Sequence, residues 1–519
     1  MLSNLSYSHL WLALGGIGFY LLLRSIYRLY FHPLSKIPGP KLTAITHGYE
    51  FYYDVICGGR FLFQIEKMHQ QYGPIVRINP REVHVSDPAF YDEIYSSSTR
   101  VRDKDPFFVP TFALPLCLAA TVSHKTHRFR RSLLNNFFSK RSVMELSPAC
   151  EEIVQKLMRR LEESYQEKAV IQLSDAFSAL SSDIITHYCF GKSWDFLDDR
   201  TFCSDIRMAV TEATAHVHLN RFLPWLVQLQ YLVPLQVMFW LQPGTAALFR
   251  VAKGIYDQST EAMQRSGSHD FKASTETPET ASKTGRTIFD RLTDPSLPPY
   301  ERTLQHLQDE ASELLTAGTE ATGDALARAA YYLAKDKVIL DKLRAELKQV
   351  MPTPTSTATW RELEQLPYLT GVINEALRLS YGLLGRLPRV APTEALEYSG
   401  YIIPPGSPVS SATYFIHRDP TLFPEPEKFD PTRWTTASEK HDNLRRYLVP
   451  FTRGTRACLG MNLVYMKLYM TIACFVRRFD IELQDTLPED IPVTRALMTA
   501  GTRRGRLQVY ARVTGMVED

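Results

Sequence analysis

"FTRGTRACLG", residues 451–460, sets one cysteine, Cys458, among two glycines and two arginines near the C-terminal end of a 519-residue chain. Three uses of its sulfur fit the stretch. A nucleophile needs a histidine and an orienting Asn or Asp, which would have to come from elsewhere in the fold. A structural thiol sits more naturally inside an apolar run, as Cys474 does in "TIACFV". An axial metal ligand is the third: at the start of a helix, backbone N–H groups and the positive end of the dipole lower a thiol's pKa. Gly454 and Gly460 would then let a flat group approach the backbone, and Arg456 would pair with an anion at its edge.

The chain is long enough for a sizeable core, and its formal charge of +3 includes no basic block of the kind that marks a nucleic-acid surface. Small molecules and membrane are the expected partners. The seven cysteines (Cys57, Cys117, Cys150, Cys189, Cys203, Cys458, Cys474) are odd in number, scattered, and without a C-x-x-C pair. That usage suits a reducing compartment and argues against a disulfide framework or a cysteine-rich zinc site.

The N-terminus carries a targeting signal. "LWLALGGIGFYLLL", residues 10–23, is 14 apolar residues long, short of the ~20 that span hydrocarbon. It continues into "RSIYRLYF", where Arg24 and Arg28 can snorkel, so residues 9–31 can cross a bilayer. A cleaved signal peptide would carry its positive charge before the apolar run. Here the first eight residues have no Lys or Arg, whereas Arg24, Arg28, Lys36 and Lys41 sit within or after the run. The expected layout is a short lumenal tail (1–8), a transmembrane anchor (9–31), a proline-rich linker (32–40) and a cytosolic catalytic body (41–519). Asn4 lies in a formal glycosylation acceptor too close to the membrane to be used.

Within the body, "GPIVRINPREVHVSD" reads as a small hairpin and residues 123–264 as mostly helical. Residues 265–285 form a polar connector, expected to be mobile. A proline-free helix follows over 301–334. After Leu379 come proline-punctuated strands, the cysteine loop, a helix over 461–478 and a last strand pair near "RLQVYARV". The apolar stretch at 222–241 is broken by Pro224 and Pro234. It reads as a flap dipping into the bilayer surface, against an ordinary buried helix pair.

A single thiolate serving a metal already held by four other donors means haem. Phe451, Gly454, Arg456, Cys458 and Gly460 fill every fixed position of F-x-x-G-x-R-x-C-x-G, and by this the chain resembles the cytochrome P450 family. A chance match is expected about once in ten thousand such chains. "NEALR" adds the family's E-x-x-R as Glu375 and Arg378, and "FDPTRW" adds Arg433 as the third member of its buried charge triad. The resemblance runs from the anchor to the last strands. "YFHPLSKIPGPK" and "YGPIVRINP" look most like filamentous-fungal, membrane-anchored secondary-metabolism members of the trichodiene-oxygenase type. It implies a mainly α fold with small β-sheets, preceded by one transmembrane helix.

It also implies site roles. The family's Trp-x-x-x-Arg, which holds a haem propionate, appears as His127 and Arg131 in "HRFRR"; a solvated basic helix face is the bland alternative. Arg389, rather than Arg386, matches the propionate arginine after E-x-x-R. In "AGTEAT", Ala317, Gly318 and Glu320 match the oxygen groove and the proton-delivering acid, but the alcohol position is Ala321. Thr322 or Thr319 is then expected to hold the relay water, or Glu320 to act through water alone.

The implied activity is monooxygenation of a hydrophobic multi-carbon substrate in secondary metabolism, a terpenoid or a polyketide. The implied cofactor is thiolate-ligated haem b, with O2 as co-substrate. No dinucleotide motif is present, so electrons come from NADPH through a separate NADPH-cytochrome P450 reductase on the endoplasmic reticulum, with cytochrome b5 as a further candidate donor. The pocket is expected from residues 106–120, the helix around Ala317, residues 382–387 and residues 497–502. Two rivals remain: a member of the same fold that desaturates, rearranges or isomerises peroxides, and a membrane-anchored non-haem protein in which Cys458 is structural or hydrolytic.

Overall fold

A computed structural model describes residues 7–97, 99–215, 217–225, 245–267, 287–435 and 444–518. Most of the 222–241 stretch and of the 265–285 connector lies outside them. The chain starts with α1 (Tyr7–Ile26), which runs on through a π-helical turn at Tyr27–Phe31. His9–Phe31 is 23 residues long, has a mean hydropathy of 1.5 and has no part of its apolar window buried in the protein, so it is long and apolar enough to act as a membrane anchor. Its base is tied to the body, because Arg77 Nη1 donates to Arg28 O (2.8 Å) and Arg28 donates to Ile45 O.

The helices that matter for the site are α2 (His124–Leu134), α3 (Ser147–Gln166), α4 (Leu173–Phe190), α5 (Ser204–Ala215), α6 (Thr245–Gly267), α7 (Leu304–Lys335), α8 (Pro367–Ser380) and α9 (Met461–Arg478). The long helix α7 is the central beam. Thr303 caps it by accepting from His306 N–H (3.2 Å), and no proline interrupts its 32 residues. It lies against α4, whose side chains are almost all buried. Their approach is close at Gly318, where a Cβ would stand 2.9 Å from Ile185 Cγ1. Around these two, α3, α8 and α9 complete one large apolar core.

Beside the helices lies a five-stranded sheet made of β1 (Ile75–Arg77), β2 (Val83–Val85), β3 (Asp103–Lys104), β5 (Arg389–Val390) and β6 (Pro408–Ser410), in the order β1-β2-β6-β5-β3. The expected hairpin is its β1–β2 pair, with Ile75 opposite Val85. The C-terminal strands form a three-stranded sheet rather than a pair: β10 (Tyr510–Met516) lies between β4 (Val170–Gln172) and β7 (Phe479–Gln484). A short hairpin, β8 (Arg495–Leu497) and β9 (Thr499–Gly501), turns at Met498. The cysteine loop runs where the helical core meets the five-stranded sheet.

Candidate active site

Cys458 precedes α9 by three residues, on a loop closed by its own backbone: Cys458 N–H donates to Phe451 O (2.8 Å). The Phe451 ring packs on Tyr465 of α9, with centroids 5.4 Å apart. Gly454 does a different job from the one expected. Its φ is +72°, and a Cβ there would lie 2.1 Å from Ser96 O, so glycine is demanded by backbone docking on backbone rather than by clearance for a flat group. Gly460 faces open space, with nothing within 4 Å of a would-be Cβ. The Cys458 sulfur is exposed to a solvent-sized probe although protein surrounds it. Burial raises its pKa, and the Gly460 N–H, Arg131 and Lys467 pull it down.

Positive groups converge around this space from four elements. Lys104 on β3 stands directly opposite Arg389 on β5, a pairing of like charges that weakens a sheet unless an anion joins it. Arg456 donates to the carbonyls of Arg102 (3.2 Å), Thr121 (2.7 Å) and Val122 (2.6 Å). Arg131 on α2 donates to Ala457 O (2.6 Å). One turn before it, His127 is buried with Nδ1 unpartnered. Burial and mutual repulsion lower Lys104 to about 7, Arg456 to about 9 and His127 to about 2, and burial lowers Arg131 and Arg389 as well. None of the five reaches a carboxylate at ion-pair distance among the described residues. His127, lowered so far, is neutral and offers a hydrogen bond rather than a charge; the lysine and three arginines have carbonyl partners but no counter-charge, which is costly for buried cations, so the cluster fits a dianion. Haem, a flat ring with two propionates, fits both the cluster and the open space beside Cys458.

Arg386 belongs elsewhere: it is held by Glu82 Oε1 (2.8 Å) and by Glu50 in a buried network with Arg221. The expected charge triad is brought together. Arg378 grips Glu375 through two bonds (2.9 and 2.7 Å), and Arg433 Nε adds a third (3.2 Å). Trp434 Nε1 (2.9 Å) and Asp430 N–H (3.1 Å) also donate to Glu375. Its carboxylate is thus fully satisfied in a site closed to water.

On α7 the relay candidates point in different directions, because each residue turns the helix by 100°. Thr319 Oγ1 is bonded to Ser182 Oγ of α4 (2.9 Å). Thr322 is fully buried, with its hydroxyl unpartnered. Glu320 Oε2 meets Arg207 Nε of α5 (3.3 Å). Ala317 and Ala321 carry no side-chain oxygen, so Thr319 and Thr322 are the hydroxyls this stretch of α7 offers, the first engaged with α4 and the second buried and unpartnered. Thr319 and Glu320 line a cavity of about 220 Å³ between α4, α5, α6 and α7, together with Ser178, Ser182, Arg207 and Thr316.

The four segments expected to line a pocket do meet. Gly385 lies with a would-be Cβ 3.6 Å from Phe108 and 3.8 Å from Met498. Leu384 N–H donates to Met498 O (2.8 Å). The 106–120 loop is pinned to α7 by Leu116 N–H to Asp309 (2.9 Å) and Leu118 N–H to Glu310 (2.8 Å). Lys104, Arg207 and Trp434 carry no signal in the sequence that separates them from ordinary lysine, arginine and tryptophan. Each acquires its place only by convergence of distant segments.

A sequence profile of the Cytochrome P450 family matches residues 38–507. Conidiogenone synthase PchP450 of Penicillium rubens is 44% identical over 91% of this chain and 92% of its own length. Cytochrome P450 monooxygenase TRI4 of Fusarium sporotrichioides is 40% identical over 93% and 90%, and cytochrome P450 monooxygenase aflU of Aspergillus parasiticus is 37% identical over the whole of both. With a cysteine loop, a cation cluster and a charge triad in one fold, and relatives matched end to end, the chain is a member of the cytochrome P450 family, whose cofactor is haem iron.

Proposed function

We propose that the protein is a haem-thiolate monooxygenase in which Cys458 would supply the thiolate that holds haem b and Lys104, His127, Arg131, Arg389 and Arg456 would hold its propionates. The exposed Cys458, ringed by cations that no carboxylate meets among the described residues, carries this reading. Haem, when bound, supplies the redox and oxygen chemistry. The chain's own residues do the rest. Gly460 N–H, Arg131 and Lys467 favour the thiolate. The small side chains of Ala317 and Ala321 would leave room for haem and substrate beside α7, and the apolar 106–120, 382–387 and 497–502 segments would exclude water from a hydrophobic substrate. Glu320 moves a proton at the edge of the cavity behind α7 and passes it through water, since Ala321 has no hydroxyl.

Electrons come from NADPH through NADPH-cytochrome P450 reductase, with cytochrome b5 as a further donor. The apolar N-terminal helix, with its basic residues on the body side, supports a site on the cytosolic face of the endoplasmic reticulum. The relatives' names, a conidiogenone synthase and TRI4 among them, support a terpenoid or polyketide intermediate of fungal secondary metabolism as substrate. The reduced carbon-monoxide difference spectrum tests the ligand: a thiolate-type Soret band is expected and Cys458→Ala abolishes it. A folded wild-type protein without that band would end the reading. A second reading, a non-monooxygenase rearrangement, rests on the alanine at 321; product formation without NADPH or O2 would establish it.

A further inference from the structure

The cavity between α4, α5, α6 and α7 is separate from the expected substrate pocket: among the described residues, none from the 106–120, 382–387 or 497–502 segments lines it. On α7 it takes one stripe, Ser312, Leu315, Thr316, Thr319 and Glu320, at spacings of three and four, and Ala317 and Ala321 fall outside that stripe. Phe196, Phe202, Leu248, Val251 and Ile255 bring apolar walls from the other elements. An apolar cavity of about 150 Å³ takes up benzene; this one, at about 220 Å³, is larger.

One corner is polar and incomplete. Ser178 and Arg207 line the cavity and are buried, yet Ser178 Oγ and Arg207 Nη2 have no hydrogen-bond partner. The two converge because Ser178 lies one turn after Asp175 on α4, and Arg207 Nη1 meets Asp175 at 2.9 Å. Gly323 continues the α7 stripe into the same corner, where a Cβ would collide with Ser178 Oγ. Buried donors left unmade are costly, so the corner calls for an acceptor. Its charges are already balanced, with Asp175, Glu320 and Asp324 facing Arg207, Arg328 and Arg506.

We infer that this cavity is a second ligand site, for a small neutral molecule with an apolar body of one or two rings and one carbonyl or hydroxyl oxygen that accepts from Arg207 and Ser178. A charged ligand would unbalance the corner and bury its charge unpaired. Because Glu320 borders the cavity, an occupant excludes water there and lowers product formation without weakening substrate binding. That effect rests on the proton role proposed for Glu320; the binding itself does not.

The test is calorimetric titration of the haem-loaded protein, its iron saturated with imidazole, with indane, indanone, aminoindane and indane carboxylate. Indanone is expected to bind saturably and about tenfold more tightly than indane, about 1.4 kcal/mol, with both charged analogues weaker than indanone. Val251→Trp and Val210→Trp fill the cavity from α6 and α5, and each abolishes the binding. Gly385→Leu, which crowds Phe108 and Met498 in the other pocket, leaves it in place. The inference is overturned if indanone does not saturate, if indane or a charged analogue binds as tightly, if binding survives the tryptophan variants, or if Gly385→Leu removes it. Should one tryptophan variant fail to fold, the other decides. Bound indanone is expected to lower kcat and leave KM unchanged; saturable binding with unchanged kcat would strike the role given to Glu320 and not the site.

Discussion

Lys104→Met probes the cation cluster from both of its states. In the haem-free protein, burial beside Arg389 and Arg456 lowers Lys104 from 10.5 to about 7, a charging penalty of about 5 kcal/mol at 1.36 kcal/mol per pH unit. Access to the open space beside the sulfur screens part of that, leaving about 2–3 kcal/mol in the stability. The folded pKa of this base is depressed, so between its folded and unfolded values the unfolded chain binds more protons than the native one. Haem-free stability therefore rises with pH from about 7 towards 10.5, and below that window the penalty is present in full. Methionine removes both the penalty and the slope. In the holoprotein the proposed propionate contacts would compensate the charge, so the same substitution is expected to weaken haem retention. Urea unfolding of haem-free and haem-loaded protein at about pH 7 and about pH 9, with haem transfer to apomyoglobin, reads both effects. Equal pH slopes in haem-free wild type and variant, or a haem-free variant less stable than wild type at neutral pH, would refute the reasoning.

Other substitutions separate structure from chemistry. Glu320→Gln is expected to keep the carbon-monoxide band while lowering NADPH-coupled product formation about 100-fold; unchanged turnover would remove Glu320 from proton delivery. Glu375→Gln strips charge from the carboxylate that Arg378, Arg433 and Trp434 share, and should cost about 3–5 kcal/mol in urea unfolding. Gly454→Ala sets a Cβ 2.1 Å from Ser96 O at a positive φ; the expected result is loss of haem-loaded protein, while Gly460→Ala, which meets nothing within 4 Å, still folds and shows its effect in haem binding.

The cysteine loop was legible because its residues act within ten positions, where spacing alone brings them together. The helix after it begins at Met461 and ends at Arg478, as its pattern predicts, and α7 starts and stops within a few residues of the 301–334 expectation. The triad was legible in part. Glu375 and Arg378 share one helix turn, whereas Trp434 is adjacent in sequence to Arg433 yet shows its role only when its Nε1 reaches Glu375. Lys104 could not be read at all: its meaning comes from standing opposite Arg389, 285 positions away in sequence, across a strand pair of two residues each. The threonines of "AGTEAT" looked interchangeable in sequence, and helical phase separated them: Thr319 bonds Ser182 at the cavity edge, whereas Thr322 is fully buried with its hydroxyl unpartnered.

The position of Glu320 follows from who else holds Arg207. That guanidinium meets Asp175 at 2.9 Å, Glu320 at 3.3 Å and Asp324 at 3.7 Å. Burial raises the pKa of Asp324, and the three carboxylates raise that of Arg207 against its own desolvation. If Glu320 swings away, Asp175 and Asp324 still compensate Arg207, so the movement leaves no orphaned buried charge. Its side chain is also the most accessible of the three acids, 18% against 1% and 12%, and it opens on the cavity with Thr316 and Ser182. A proton taken from water there can be carried around α7 by rotation of the glutamate or by a water bridge, since Thr319 is engaged with Ser182 and Ala321 offers no oxygen. Arg207→Met should therefore do more than remove a salt bridge. It leaves Asp175, Glu320 and Asp324 facing one another, with Arg506 beside Asp175 at 3.3 Å as the nearest remaining cation, and it should slow product formation as Glu320→Gln does, with a shifted pH profile that the glutamine variant lacks.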